Sequence, residues 1–245
     1  MIIVYSQPQA TPSNGFSMQT KNMKQLKPVL FILSFGLFSW IMPQQKQHII
    51  FFGDSITQAG VEPGGYITVL GKLLTEKGIG DQYQLTGAGI GGNKVYDLYL
   101  RIEEDVLVKN PNTVVIWVGV NDVWHKRSFG TGTDADKFEK FYTAIIKKFQ
   151  MKKIRVFLCT PAAIGEKTDF SNELDGDLNK YSGIIRDIAG KNNCGLIDLR
   201  KTFLSYNLTH NNGNKEKGIL TNDGVHLNEK GNQLVAEEMM KALVR

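Results

Sequence analysis

Thr113-Val-Val-Ile-Trp-Val118, followed at once by Gly119-Val-Asn-Asp122, is the stretch on which the reading of the fold turns. The first six residues are apolar or β-branched without a polar residue at every second place. That is the pattern of a strand covered on both faces, not of one with a wet side. Ile154-Arg-Val-Phe-Leu-Cys159 has the same near-continuous character. Five runs in all read as strands: His48 to Gly53, Tyr83 to Gly87, Thr113 to Gly119, Ile154 to Thr160 and Gly195 to Leu199.

Between these runs the apolar spacing changes to that of a helix. Tyr66, Val69, Leu70, Leu73 and Leu74 share one helical face, as do Phe138, Phe141, Tyr142, Ile145 and Phe149, and then Leu178, Tyr181, Ile185 and Ile188. Val95, Leu98 and Ile102 suggest another helix, and Leu234, Val235 and Met239 the last. Strand alternating with helix implies right-handed crossovers and a parallel sheet between helix layers, an α/β class in which ligands sit beyond the carboxyl ends of the strands. No repeat, low-complexity tract or interdomain linker interrupts the pattern, and the polar stretch Asn207 to Gly218 reads as a surface loop.

Of the 245 residues, 42% are hydrophobic and 10% aromatic, a balance that suits one domain with a sizeable core. The net charge of +5 overstates the body of the chain, because Lys21, Lys24 and Lys27 fall in a segment before Pro43 that has no Asp or Glu. Without them 26 basic residues face 24 acidic ones. No clustered Lys/Arg run is left to neutralise a phosphate backbone, so a nucleic-acid partner is not expected.

The N-terminal residues read as a leader. Met23, Lys24 and Lys27 precede an apolar run of 14 residues from Val29 to Met42, which fits the charged region and hydrophobic core of a secretory signal. A permanent span needs roughly 20 apolar residues. The expectation is therefore a leader over residues 1–43, its first 22 residues an artefactual extension before a natural start at Met23, and a catalytic domain over 44–245. Export to a periplasmic or extracellular site follows. An uncleaved N-terminal anchor is the alternative, since Phe38, Trp40 and Ile41 make a poor cleavage site. Sequencing the N-terminus of the mature protein from its host decides between them.

Cys159 and Cys194 are too few for a disulfide framework. They fall at opposite edges of the sheet, roughly 16 Å apart at ~3.3 Å per residue, too far for a bridge. Two small buried side chains are expected.

Four short runs carry chemistry. Gly53-Asp-Ser-Ile-Thr57 follows the first strand, with the next helix expected from about Gly64, and so puts the Ser55 hydroxyl at the carboxyl edge of the sheet. By itself it could be a turn serine bonding local backbone. Asp223-Gly-Val-His226 places a carboxylate three residues before an imidazole. A serine hydroxyl is a weak nucleophile until a base accepts its proton and a third group fixes the base, and one turn here supplies both partners. The plainer readings are a capping Asp with a surface His, or metal ligands. Zinc would want at least three protein ligands, and His48, His125 and His210 form no spaced cluster with the pair.

Gly119-Val-Asn-Asp122 ends the third strand, where the Asn121 amide could donate to a developing oxyanion or simply close a turn. Gly89-Ile-Gly-Gly-Asn93 follows the second strand, and its backbone amides could line the same oxyanion site or a phosphate. No Gly-Lys-Ser/Thr follows to favour a nucleotide. All four runs converge on one edge of the sheet, which raises the joint reading above any single motif.

On these four blocks, taken in order, the chain from about His48 to the C-terminus resembles the SGNH hydrolases, the GDSL-like lipase and esterase family. The resemblance implies a flavodoxin-like three-layer α/β/α sandwich around a five-stranded parallel sheet. It implies Ser55 as nucleophile, His226 as general base and then acid, and Asp223 as the residue orienting His226. An oxyanion hole would comprise the backbone amides of Ser55 and Gly92 and the side-chain amide of Asn121, with Gly89 and Gly91 as neighbours that could take the place of Gly92. Hydrolysis would run in two steps through an acyl-enzyme on Ser55, without metal or organic cofactor.

Family members act on acetylated sugars, lysophospholipids, thioesters and short-chain esters. An exported, near-neutral body with no long apolar lid favours small acyl groups, such as acetyl groups on a glycan, and Trp124 and His125 stand where they could wall the acyl pocket. The expected partner is a small-molecule or glycan ester, with no membrane partner beyond an N-terminal anchor. The rival readings are an acyltransferase passing the acyl group to a sugar hydroxyl, a lysophospholipase-type acylhydrolase and a catalytically silent glycan-binding module. Oligomeric state is not legible.

Overall fold

The computed structural model describes residues 45–244; the leader expected over residues 1–43, with its Val29 to Met42 run, lies outside the described residues. Five strands form one parallel sheet: β1 (Gln47–Gly53), β2 (Tyr83–Gly89), β3 (Thr113–Trp117), β4 (Arg155–Cys159) and β5 (Gly195–Ile197), in the order β2-β1-β3-β4-β5. Eight α-helices connect and follow them: α1 (Ser55–Ala59), α2 (Tyr66–Glu76), α3 (Val95–Asp105), α4 (Val120–Phe129), α5 (Ala135–Met151), α6 (Asp175–Lys191), α7 (Leu199–His210) and α8 (Glu229–Leu243).

The strands serve two cores because successive side chains point to opposite faces. On one face Ile49, Phe51, Val115 and Trp117 pack with Tyr66 and Leu70 of α2, Phe203 of α7 and Met239 of α8. On the other, Ile50, Phe52, Val114 and Ile116 meet Leu98 of α3, Phe138 and Tyr142 of α5 and Ile185 of α6. Both faces of β1 and β3 are thereby sealed, and each fully buried Phe or Ile contributes about 1.5–3 kcal/mol by leaving water. This is the expected three-layer α/β/α sandwich.

The chain leaves β1 towards β2 and then returns to the far side of β1 for β3, so the strand order reverses between β1 and β3. Helices on opposite faces leave a crevice at such a reversal. Gly53 ends β1 level with Gly89 of β2 and Trp117 of β3, so the segments carrying three of the four motifs leave the sheet side by side.

Several elements differ from the sequence expectation. The first helix begins at Ser55 itself, not near Gly64, because the buried Asp54 carboxylate accepts the Ile56 N–H at 3.0 Å and caps a turn too short to show periodicity. β3 stops at Trp117, and Asn121 and Asp122 lie in the first turn of α4, whose opening residues Val120 to Val123 are all buried and so show no apolar stripe. Leu199 opens α7, not the end of β5, and α7 takes in Asn207 to His210; Asn207 and Asn211 are buried, so the polar stretch is not all surface loop. Cys159 is buried as expected, but Cys194 is only half-buried, and both are free.

Candidate functional site

Ser55 is the first residue of α1, held there from both sides. Asp54 caps the turn above it, and Thr57 below accepts a hydrogen bond of 3.1 Å from the Tyr66 hydroxyl, which ties α1 to α2. The half-buried Ser55 Oγ lies 2.9 Å from His226 Nε2, across 171 residues of chain. His226 Nδ1 is 2.7 Å from Asp223 Oδ2. The other carboxylate oxygen of Asp223 accepts the backbone N–H groups of Val225 and His226, at 2.9 and 2.7 Å. One carboxylate thus shapes the turn with Oδ1 and aims the ring with Oδ2.

Partial burial works against the charge on Asp223, but the His226 ring and these two N–H donors outweigh it and hold the carboxyl below its usual range. An ionised Asp223 accepts the hydrogen bond of Nδ1–H and so keeps the ring proton on Nδ1. Nε2 is then the acceptor and faces the Ser55 hydroxyl.

The turn carrying both residues is fastened at its base. Thr221 and Leu227 pair as an antiparallel bridge, and the Asn222 N–H donates to the His226 carbonyl at 2.8 Å. Glu166, only 1% exposed, accepts the N–H groups of Ile219 and Leu220 at 2.8 and 2.6 Å, and the Gly165 N–H donates to the Gly224 carbonyl at 2.9 Å. The loop after β4 therefore holds the Asp223–His226 turn over the end of β1.

The glycine block passes beside Ser55. A Cβ added at Gly89 would stand 2.1 Å from the Gln58 backbone nitrogen, so β2 can approach α1 this closely only with glycine there. Gly91 gives its N–H to Gln58 Oε1 at 2.7 Å. Gly92, with φ of +74°, turns the chain in a conformation that favours glycine, and its N–H, like that of Ser55, meets no acceptor among the described residues. The Asn121 side chain is buried, and its amide donates to the Asn93 carbonyl at 3.1 Å, which leaves its second hydrogen unspent.

Two residues without any sequence signal complete the framework. The Arg101 guanidinium donates to the Gly53 carbonyl at 2.7 Å, the Ala88 carbonyl at 3.1 Å and Asn93 Oδ1 at 2.7 Å, tying the ends of β1 and β2 to the glycine loop. Glu166 performs the same service for the histidine turn. Each appears in the sequence as one more charged residue. Trp124 is half-buried against the α2, α7 and α8 core, while His125 lies beside Gly92, its Cε1 3.7 Å from where a Cβ there would be. Burial, with the Lys94 charge second, lowers the His125 pKa. Among the described residues no group of three or more His, Cys, Asp or Glu side chains gathers around a point that could hold a metal ion.

Two further carboxyls sit beneath the site. Burial pushes Asp54 and Asp122 each up to about 7, against backbone N–H donors from Ile56 and Val95 respectively, and the charge of Asp122 adds to the effect on Asp54. The folded protein then keeps protons that the unfolded chain has released, so these groups stabilise it at low pH and that contribution is lost as pH rises towards the folded value. At about 1.4 kcal/mol per unit, the loss is of the order of 3 kcal/mol per carboxyl between about pH 4 and 7. Asp122→Asn keeps an acceptor for Val95, and urea unfolding is expected to show its stability relative to wild type rising across that interval. A difference independent of pH would contradict it.

The GDSL-like Lipase/Acylhydrolase family matches residues 51–234. The crystal structure of an acetyl xylan esterase, AlAXEase, is 67% identical and superposes with a TM-score of 0.79, covering 80% of this chain and 100% of that one. The acetylxylan esterase of Geobacillus stearothermophilus is 28% identical over 177 residues, covering 64% of this chain and 78% of that protein. LAE5, an alpha/beta hydrolase enzyme from the metagenome of Lake Arreo, Spain, is 24% identical with a TM-score of 0.72 over 81% of this chain and 95% of that one, and shares the fold. With its signature blocks inside the matched span, the chain belongs to the GDSL-like lipase/acylhydrolase family and is a carboxylic ester hydrolase of the SGNH type.

Proposed function

We propose that the site removes acetyl groups from xylan-type carbohydrate, with Ser55 as nucleophile, His226 as base and acid, and Asp223 as the group that orients it. The observation that carries this reading is the continuous line from Ser55 Oγ to His226 Nε2 at 2.9 Å and from His226 Nδ1 to Asp223 Oδ2 at 2.7 Å. The acetyl esterases among its relatives supply the substrate class.

Ser55 Oγ bonds to the acetyl carbonyl carbon as its proton passes to His226 Nε2. The carbonyl oxygen becomes an oxyanion facing the N–H groups of Ser55 and Gly92 and the free hydrogen of the Asn121 amide. The bond to the sugar oxygen then breaks, and His226 returns the proton to that oxygen. Water repeats the sequence on the acetyl-enzyme, giving acetate and free Ser55.

Incubating the enzyme with acetylated xylo-oligosaccharides, with and without an unacetylated sugar acceptor, tests the proposal. Free acetate is expected in both arms. Acetyl recovered chiefly on the acceptor, or turnover confined to long-chain p-nitrophenyl esters, would overturn it. Export is proposed alongside, on the charged and apolar pattern of residues 23–42, and the N-terminal sequencing described above is its test.

A further inference from the structure

An ester has two halves, and this site directs them apart. The acyl carbonyl must lie over Ser55 Oγ with its oxygen towards Gly92 and Asn121. The alcohol oxygen must come within reach of His226 Nε2 to take up a proton as it departs. Whatever is attached to that oxygen therefore extends on the side of the histidine turn.

A half-open cleft of ≈ 350 Å³ borders that turn at Asp223 and Val225 and is walled by Trp124, Lys167, Asn172 and Glu216. That volume falls within the roughly 300–1,000 Å³ of small-molecule sites. The walls are set before any ligand arrives. The Gly165 N–H donates to the Gly224 carbonyl and the Glu166 N–H to the Glu216 carbonyl, both at 2.9 Å, and Asn172 Oδ1 accepts the Lys167 N–H at 3.2 Å. Lys167 and Glu216 make these bonds through their backbones, and their charged ends have no hydrogen-bond or ion-pair partner among the described residues.

One indole beside unspent charged donors and acceptors suits a ligand with an apolar C–H face and a rim of hydroxyls. A sugar ring is such a ligand, whereas an acyl chain would leave the charged ends facing hydrocarbon. We propose that this cleft binds further sugar units on the alcohol side of the ester, so that the enzyme selects acetyl groups carried on an oligosaccharide over those on a small alcohol. The inference rests on the acetyl-carbohydrate reading above and adds where the chain lies.

The test is the ratio of kcat/KM on an acetylated xylotriose to kcat/KM on p-nitrophenyl acetate, measured for wild type, Lys167→Ala, Glu216→Ala and Trp124→Ala. Each substitution is expected to lower the ratio about tenfold, the loss of a charge-assisted hydrogen bond or a stacked ring. The two charge substitutions, at half-buried Lys167 and exposed Glu216, keep the test decisive if Trp124→Ala unfolds. A wild type active on both substrates, with ratios in these two variants unchanged within about twofold, would overturn the cleft alone. A wild type inert on the trisaccharide would overturn both the cleft and the carbohydrate reading.

Discussion

Ser55→Ala is expected to lower turnover of p-nitrophenyl acetate by roughly 10³–10⁶-fold, the range seen when a serine nucleophile is removed and only binding and oxyanion stabilisation are left. The substitution deletes one oxygen, whose side-chain partner is His226 Nε2. The cap of α1 survives, because the Asp54 carboxylate takes its hydrogen bond from Ile56 and not from Ser55. Stability should therefore stay within about 0.5 kcal/mol of wild type by urea unfolding. His226→Ala should cost a similar factor, and the double variant little more, since the two act as one unit. Residual Ser55→Ala turnover within about tenfold of wild type, with the fold intact, would remove Ser55 from the nucleophile's role.

What the sequence made legible follows from how the two kinds of information are stored. The central strands could be read because burial on both faces forces continuous apolar runs, as in Val114 to Trp117. The long helices could be read because each turns one stripe towards a core, as α5 does with Phe138, Tyr142, Ile145 and Phe149. The short elements around the site escaped for the opposite reason. α1 is a turn of five residues opened by a cap, and α4 buries Asn121 and Asp122 among apolar neighbours, so neither has a stripe to show.

The four motifs marked the neighbourhood of the site, since each follows a strand or precedes a helix on the same sheet edge. The residues that fix its geometry left no trace. Apart from the bond of Arg101 to Asn93 Oδ1, Arg101 and Glu166 hold the site through main-chain carbonyls and N–H groups supplied by distant segments, and such partners have no side-chain signature. The three glycines likewise differ in ways that only hydrogen bonds reveal. Gln58 occupies the N–H of Gly91, and only the fold brings Gln58 there.

Asn121→Ala is expected to lower kcat by about a hundredfold or more with a far smaller change in KM, the pattern for a donor that matters most when the carbonyl oxygen becomes an anion. The side chain is 2% exposed, and its amide is pinned by the Asn93 carbonyl at 3.1 Å, itself part of the loop that Arg101 holds. A donor fixed in a buried place needs no reorganisation as charge develops, so its full strength is available in the transition state. Asn121→Asp keeps the shape but replaces the donor with an acceptor and adds negative charge beside the oxyanion, so its kcat should fall below that of Asn121→Ala. That ordering separates an electrostatic role from a packing role, because a site that only needed the volume filled would tolerate Asp better than Ala. Near-normal kcat in Asn121→Ala, or faster turnover in Asn121→Asp, would leave the oxyanion to the N–H groups of Ser55 and Gly92 alone.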